Sequence, residues 1–289
     1  MSETYELVSV PVDGGDLAVG VWNRGAARTV LAFHGISGSH QSWRAVTRAL
    51  PDVTFIAPDL RGRGRSRDLV GPFGMVEHAL DGATVLEHLG IEVPVDLLGH
   101  SMGGFVAMRF AEFYADRVAK VTLVDGGIPL PLPTDVPVEQ LMKQTLGPAL
   151  ARLSQTYPTR ESYLEFWRAH PAFVNDWNED VVAYVDYDLV GEEPELRSSA
   201  SGEAVLGDAV EQGVGTLADR PWDFVAQPIS FLRAERGMMD GPDGLYASHY
   251  VEEFAGWHPN LHLIEVPEVN HYTIIMKQAG ADAVAAAIR

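Results

Sequence analysis

The chain has 289 residues, 46% of them hydrophobic and 21% charged, enough apolar material for a large core and too much for a disordered main state. Its 40 Asp plus Glu against 21 Lys plus Arg give a formal charge of −19, which repels phosphate backbones and anionic lipid heads, so neither nucleic acid nor a membrane is expected as a partner. Cysteine is absent, which removes disulfides, thiolate metal sites and cysteine nucleophiles together.

The first residues, Met1 to Glu6, lack a basic segment followed by an apolar stretch, so no signal peptide is expected. No apolar run approaches the roughly 18 residues of a membrane span. A cytoplasmic monomer or homodimer is the expectation. Tyr5–Val12 and Leu17–Trp22 flank Asp13-Gly14-Gly15-Asp16, the pattern of a hairpin. Short apolar runs follow at Val30–Phe33, Phe55–Ala57, Val95–Leu98, Val121–Val124, Ile229–Leu232 and Leu261–Val266. Runs of this kind read as strands buried on both faces. Helical spacing at Met75–Leu89 and Met102–Tyr114 separates them, and a helix is expected over Thr273–Ile288. Strands alternating with helices predict an α/β protein with a mostly parallel central sheet covered on both faces.

The alternation stops between Ile128 and about Pro221. Pro129, Pro131, Pro133 and Pro137 punctuate the exit from the sheet, and no strand-like run follows for about 90 residues. Instead Tyr163, Phe166 and Trp167 fall at helical spacing, as do Val181, Val185 and Leu189, and then Leu206, Val210, Val214 and Leu217. Residues 128–221 therefore read as a helical insertion over the sheet's carboxyl edge, between core segments 1–127 and 222–289. Tyr163, Phe166, Trp167 and Trp177 are candidates for lining a pocket beneath it, although packing within the insertion is the commoner use of such a stripe.

Gly99-His100-Ser101-Met102-Gly103 is a G-x-S-x-G directly after one strand and directly before a helix. That context gives the motif its meaning, because a tight strand-to-helix turn lifts a serine Oγ clear of the sheet. The first N–H groups of the following helix then face any oxyanion formed on an attacked carbonyl. Ser101 is the candidate nucleophile, and the backbone N–H groups of Met102 and Ile36 are the candidate oxyanion donors. Ten histidines compete for the role of base. His271, in the loop after the last strand, is the one placed to reach the carboxyl edge. His34 and His100 sit within the motifs as supporting residues, His34 also as a pocket candidate. His258 and His262 have metal-ligand spacing, but Pro259 breaks a helix between them, so no metal and no cofactor is expected.

With His34-Gly35, then Asp59-Leu60-Arg61-Gly62-Arg63-Gly64-Arg65-Ser66, then Gly99-His100-Ser101-Met102-Gly103-Gly104 and Asn270-His271, the sequence resembles the α/β-hydrolase fold superfamily over nearly its whole length. The resemblance implies that fold with an inserted helical cap, and a serine-nucleophile branch resembling esterases and lipases. It makes the arginine-rich segment 61–67 a turn after a core strand rather than a basic patch. It also implies an acid after the penultimate strand, about where Gly237 stands, which carries no carboxylate. Asp240 serves if its loop folds back, and Glu235 is a weaker choice. The other known placement, resembling that of some haloalkane dehalogenases, is the end of the preceding strand, where Asp125 stands. Asp125 is preferred because it starts at the sheet edge. The implied function is hydrolysis of a carboxylic ester of a small, partly apolar substrate. Carbon–carbon hydrolysis, lactone opening, perhydrolysis and a non-turnover receptor are alternatives on the same residues.

Overall fold

The structure is a computed structural model and describes residues 4–130, 150–212 and 216–289. Strands β1 (Tyr5–Val12) and β2 (Gly15–Trp22) form the antiparallel hairpin, with Tyr5 opposite Trp22 and Val12 opposite Gly15. The remaining core strands are β3 (Arg28–Phe33), β4 (Val53–Pro58), β5 (Val95–His100), β6 (Val118–Val124), β9 (Ile229–Arg236) and β10 (Leu261–Asn270). They join the hairpin in one eight-stranded sheet of order β1-β2-β4-β3-β5-β6-β9-β10, parallel from β4 onward.

Successive residues of β3 show why the sheet is covered twice. Leu31 and Phe33 belong to one apolar layer, Val30 and Ala32 to the other, and all four are fully buried. The first layer takes helices α2 (Met75–His88) and α3 (Met102–Phe113), and the second takes α1 (Arg44–Ala49). At the C-terminus the expected single helix is two, α9 (Thr273–Met276) and α10 (Gln278–Ile288). Lys277 between them is extended, at φ −103° and ψ 141°.

Between β6 and β9 lie α4 (Arg160–Arg168), α5 (Glu179–Asp188), a two-residue pair β7 (Leu189–Val190) and β8 (Arg197–Ser198), α6 (Gly202–Gln212) and α7 (Thr216–Phe224); α8 (Ser248–Trp257) follows β9. Local chemistry starts these helices. Thr159 and Ser162 form a reciprocal capping box on α4, and the Asn178 side chain accepts from the N–H groups of Asp180 and Val181 on α5. Three expectations change here. Leu189 leaves the α5 stripe to begin β7, because α5 ends at Asp188. A small antiparallel pair stands where no strand was expected. The boundary at 221 cuts through α7, whose Trp222 packs in the sheet-facing layer and donates from Nε1 to Gly127 O at 3.2 Å. Pro221 lies inside that helix rather than at its end. Pro131, Pro133, Pro137 and Val214 fall outside the described residues, as do the side chains of Val210 and Leu217.

The helices of this segment are tied to the loop after β4. Tyr187 on α5 donates to Asp59 Oδ2 at 2.7 Å, and Ser199 Oγ accepts from Gly64 N–H at 3.0 Å. Asp208 on α6 meets Arg63 at 2.6 Å and His78 at 3.0 Å in a fully buried cluster. The arginine-rich stretch is thus used internally: Arg61 forks onto Asp81 at 2.7 and 2.8 Å, and Arg63 also donates to Ile36 O. No helix among the described residues is long and apolar enough to cross a membrane.

Candidate active site

The parallel strands end together, so their following residues share one edge of the sheet. After β3 comes His34-Gly35-Ile36, after β5 Ser101, after β6 Asp125, and after β10 His271. Ser101 has φ +54° and ψ −122°, a conformation that costs an L-residue about 1–3 kcal/mol and is held by its surroundings. The close packing beneath it explains the neighbouring glycines. A Cβ on Gly103 would lie 1.9 Å from Phe33 O, and one on Gly126 would lie 2.1 Å from Ser101 O.

The side chain of His271 is almost fully buried, and its Nδ1 faces Asp125 Oδ2 at 2.7 Å. Asp125 is fully buried, and its other oxygen accepts from Ala234 N–H at 3.2 Å. Its own N–H donates to Leu232 O at 2.8 Å, so the carboxylate is anchored to β9 on two sides. His100 donates from Nε2 to the backbone oxygen of His271 at 2.7 Å, with ring centres 4.7 Å apart. Burial and the neighbouring His271 push the pKa of His100 well down, so it stays neutral and holds the loop. His34 is also held neutral, pulled down to about 4 by burial, and its Nε2 accepts from Leu60 N–H at 3.0 Å.

The other two carboxylate candidates have different partners. Asp240 binds Asn270 Nδ2 at 3.0 Å and Arg236 at 3.2 Å. Glu235 accepts from Glu268 N–H at 2.7 Å. Asn270, quoted in the sequence only as part of the Asn270-His271 motif and given no role, organises the loop: it accepts from the N–H groups of Tyr272 and Thr273 and donates to Ala172 O. The pairing of β10 slips between Val266 and Asn270, an irregularity of the kind that re-aims a strand end.

A cleft with about 40 Å³ of free space contains Ser101, His271, Ile36 and His100. Its remaining wall includes Ser37, Ser42, Tyr184, Met238, Tyr272, Ile275 and Met276. His34, Tyr163, Phe166, Trp167 and Trp177 do not line it. His34 lies beneath the loop. Tyr163 is fully buried and donates to Asp188, while Phe166 and Trp167 pack edge-to-face on each other, Phe166 on Tyr157 and Trp167 on Phe173. Trp177 packs beneath Arg168. The aromatic stripe therefore serves the insertion's own core. A roomier groove of about 600 Å³, lined by Asn175, Asp176, Glu235, Arg236 and Lys277 among others, is open, charged and separate from Ser101. His258 ends α8 while His262 lies on β10, so the pair shares no helix face.

A sequence profile of the α/β hydrolase fold matches residues 28–160. The thioesterase domain of a curacin biosynthetic pathway superposes with TM-score 0.78 at 18% identity, covering 99% of each chain. The chain has the α/β-hydrolase fold. E-2-(acetamidomethylene)succinate hydrolase also shares this hydrolase fold, with TM-score 0.77 at 19% identity and 98% of both chains covered. Among curated proteins, the lipase LipV of Mycobacterium tuberculosis is 34% identical over 115 residues, 40% of this chain and 43% of that one. The chain thus spans less than half the length of that relative.

Proposed function

We propose that this protein is a serine hydrolase acting on carboxylic esters, with Ser101 as nucleophile, His271 as base and Asp125 as the acid that orients it. The observation that carries the reading is the buried 2.7 Å contact of His271 Nδ1 with Asp125, made by a histidine that shares its cleft with the elbow serine. Asp125 accepts a hydrogen bond from Nδ1–H, which keeps that proton on Nδ1 and leaves Nε2 free to accept one. His271 takes the Ser101 proton as Oγ bonds to the ester carbonyl carbon. The resulting oxyanion accepts from the N–H groups of Met102 and Ile36; that of Met102 opens α3 and so has no intrahelical acceptor. The carbonyl–alkoxy bond breaks, and the alcohol leaves with the proton held by His271. Water then attacks the acyl-enzyme, giving its proton to His271, and Ser101 departs with that proton as the acid is released.

The insertion read over residues 128–221 acts as a cap that brings Tyr184 into the cleft wall. A free space of about 40 Å³ is far below the roughly 300 Å³ of ordinary ligand pockets, so a substrate displaces cap-side groups such as Tyr184. That a lipase and a hydrolase appear among the relatives and fold neighbours supports the reaction class. The test is turnover of a series of p-nitrophenyl esters. Ser101→Ala is expected to lose about 10⁴–10⁶ of the rate with the fold intact. Activity within tenfold of the parent would refute the assignment, and tight binding with negligible turnover would favour a receptor.

A further inference from the structure

Arg152 is a buried cation that the ester mechanism does not use. It lies on the helical turn before α4, where Leu150 and Leu153 pack with Ala200, Val205 and Ile36. That packing holds it beside the loop after β3, and its NH2 donates to Ser37 Oγ at 3.3 Å. Its guanidinium carbon stands 4.8 Å from the ring centre of Trp167, and only 11% of the side chain is exposed.

A guanidinium offers five N–H donors, and a buried one ordinarily faces a carboxylate directly. Here the nearest is Asp188, with NH1 to Oδ2 at 3.9 Å, beyond hydrogen-bond reach. The oxygens of Asp188 are already engaged by Tyr163 OH at 2.5 Å and by Ser199 N–H and Oγ at 3.2 and 2.7 Å. NH1 of Arg152 has no hydrogen-bond acceptor among the described residues. Arg152 stands directly behind the cleft wall, because Ser37, which accepts from its NH2, lines the cleft together with Tyr184 and Tyr272.

We infer that Arg152 binds a substrate carboxylate, and that the esters accepted at Ser101 carry a free carboxylate on a short chain. The inference rests on the ester-hydrolase reading. A carboxylate matches the planar fork of the guanidinium with two parallel hydrogen bonds. Ser37, bonded to Arg152, follows Ile36 directly, so the anchored carboxylate and a carbonyl held at Ile36 N–H are only a few bonds apart. A net charge of −19 disfavours anions in general, so selecting one requires a local cation of this kind. Hemiesters of short dicarboxylic acids have the required chemistry.

Two measurements test this, the first of them separately from the reaction. Isothermal titration with glutarate at constant ionic strength is expected to show binding to the parent and to Ser101→Ala. Arg152→Gln should weaken it by about 10- to 100-fold, the range of a hydrogen bond to a charged group, and Arg152→Lys should weaken it less. Circular dichroism melts establish that both variants are folded. In pH-stat assays the parent should hydrolyse monomethyl glutarate with a higher kcat/KM than dimethyl glutarate, and Arg152→Gln should collapse that ratio. No turnover of either ester, with glutarate still bound through Arg152, would defeat the ester reading and leave the carboxylate site standing. No glutarate binding by the parent, equal binding by folded Arg152→Gln, or a preference for the neutral diester would overturn the inference.

Discussion

Replacing Asp125 by Asn keeps the shape of the side chain and removes its charge, and the structure says where the effect falls. The two carboxylate oxygens serve two donors, Ala234 N–H at 3.2 Å and His271 Nδ1–H at 2.7 Å. An amide has only one oxygen. If that oxygen faces Ala234, the NH₂ group donates to Nδ1 and drives the imidazole proton onto Nε2, where it blocks acceptance of the serine proton. If the oxygen faces His271 instead, the NH₂ group opposes Ala234 N–H in a fully buried place, at a cost of about 1–3 kcal/mol. The first arrangement is therefore preferred, and it is the unreactive tautomer. By analogy with a serine-protease triad, kcat should fall about 10⁴-fold, equivalent to about 5.4 kcal/mol of barrier. The matched control is Asp240→Asn, which touches Asn270 and Arg236 but not the imidazole, and should cost less than tenfold. Steady-state hydrolysis of a p-nitrophenyl ester by both variants makes the comparison. A loss within tenfold for Asp125→Asn, or a larger loss for Asp240→Asn, would refute the argument.

Two further perturbations follow from the same geometry. The pKa of His34 falls from 6.5 to about 4 on burial, so the unfolded chain binds the extra proton in that window and stability should decline as pH drops from about 6.5 towards 4; urea titrations across this range should give a flatter profile for His34→Gln, and an unchanged slope would contradict the assignment. Gly126→Ala would bring a methyl to 2.1 Å from Ser101 O, so it should cost roughly 1–3 kcal/mol and lower kcat by moving the serine; a thermal melt and an ester assay indistinguishable from the parent would show that the elbow is looser than described.

The legible parts of this protein are those whose meaning is local. The strand before Ser101 and the helix after it stand within a few residues of the serine, so the elbow could be read directly, and the apolar runs announced the doubly covered sheet. The pairing of Asp125 with His271 was readable for a related reason: a residue that ends a strand is already at the sheet edge, whatever its distance in sequence from His271. The cleft wall was not readable. Helical spacing identifies the apolar face of α4 but not what it packs against, and Tyr163 and Trp167 turned to Tyr157, Phe173 and Asp188. Tyr184, Met238 and Met276 reach the cleft from three separate elements, and no spacing connects them. Tyr272 also lines the cleft and was not singled out, although its adjacency to His271 offered a signal. Asn270 was quoted beside His271 but its role was not read, because that role lies in bonds to backbone groups that exist only once the loop is formed. Pro221 suggested a boundary where α7 continues through it.

The central claim is that Ser101 Oγ attacks a carbonyl while His271 takes its proton, and trapping the nucleophile tests it most directly. After incubation with a fluorophosphonate, peptide mass spectrometry should locate one stoichiometric adduct on the peptide containing Ser101, formed in step with loss of ester turnover. Ser101→Ala should remain unlabelled, and Asp125→Asn should label far more slowly. An adduct on another residue, or full labelling of Ser101→Ala, would contradict the account.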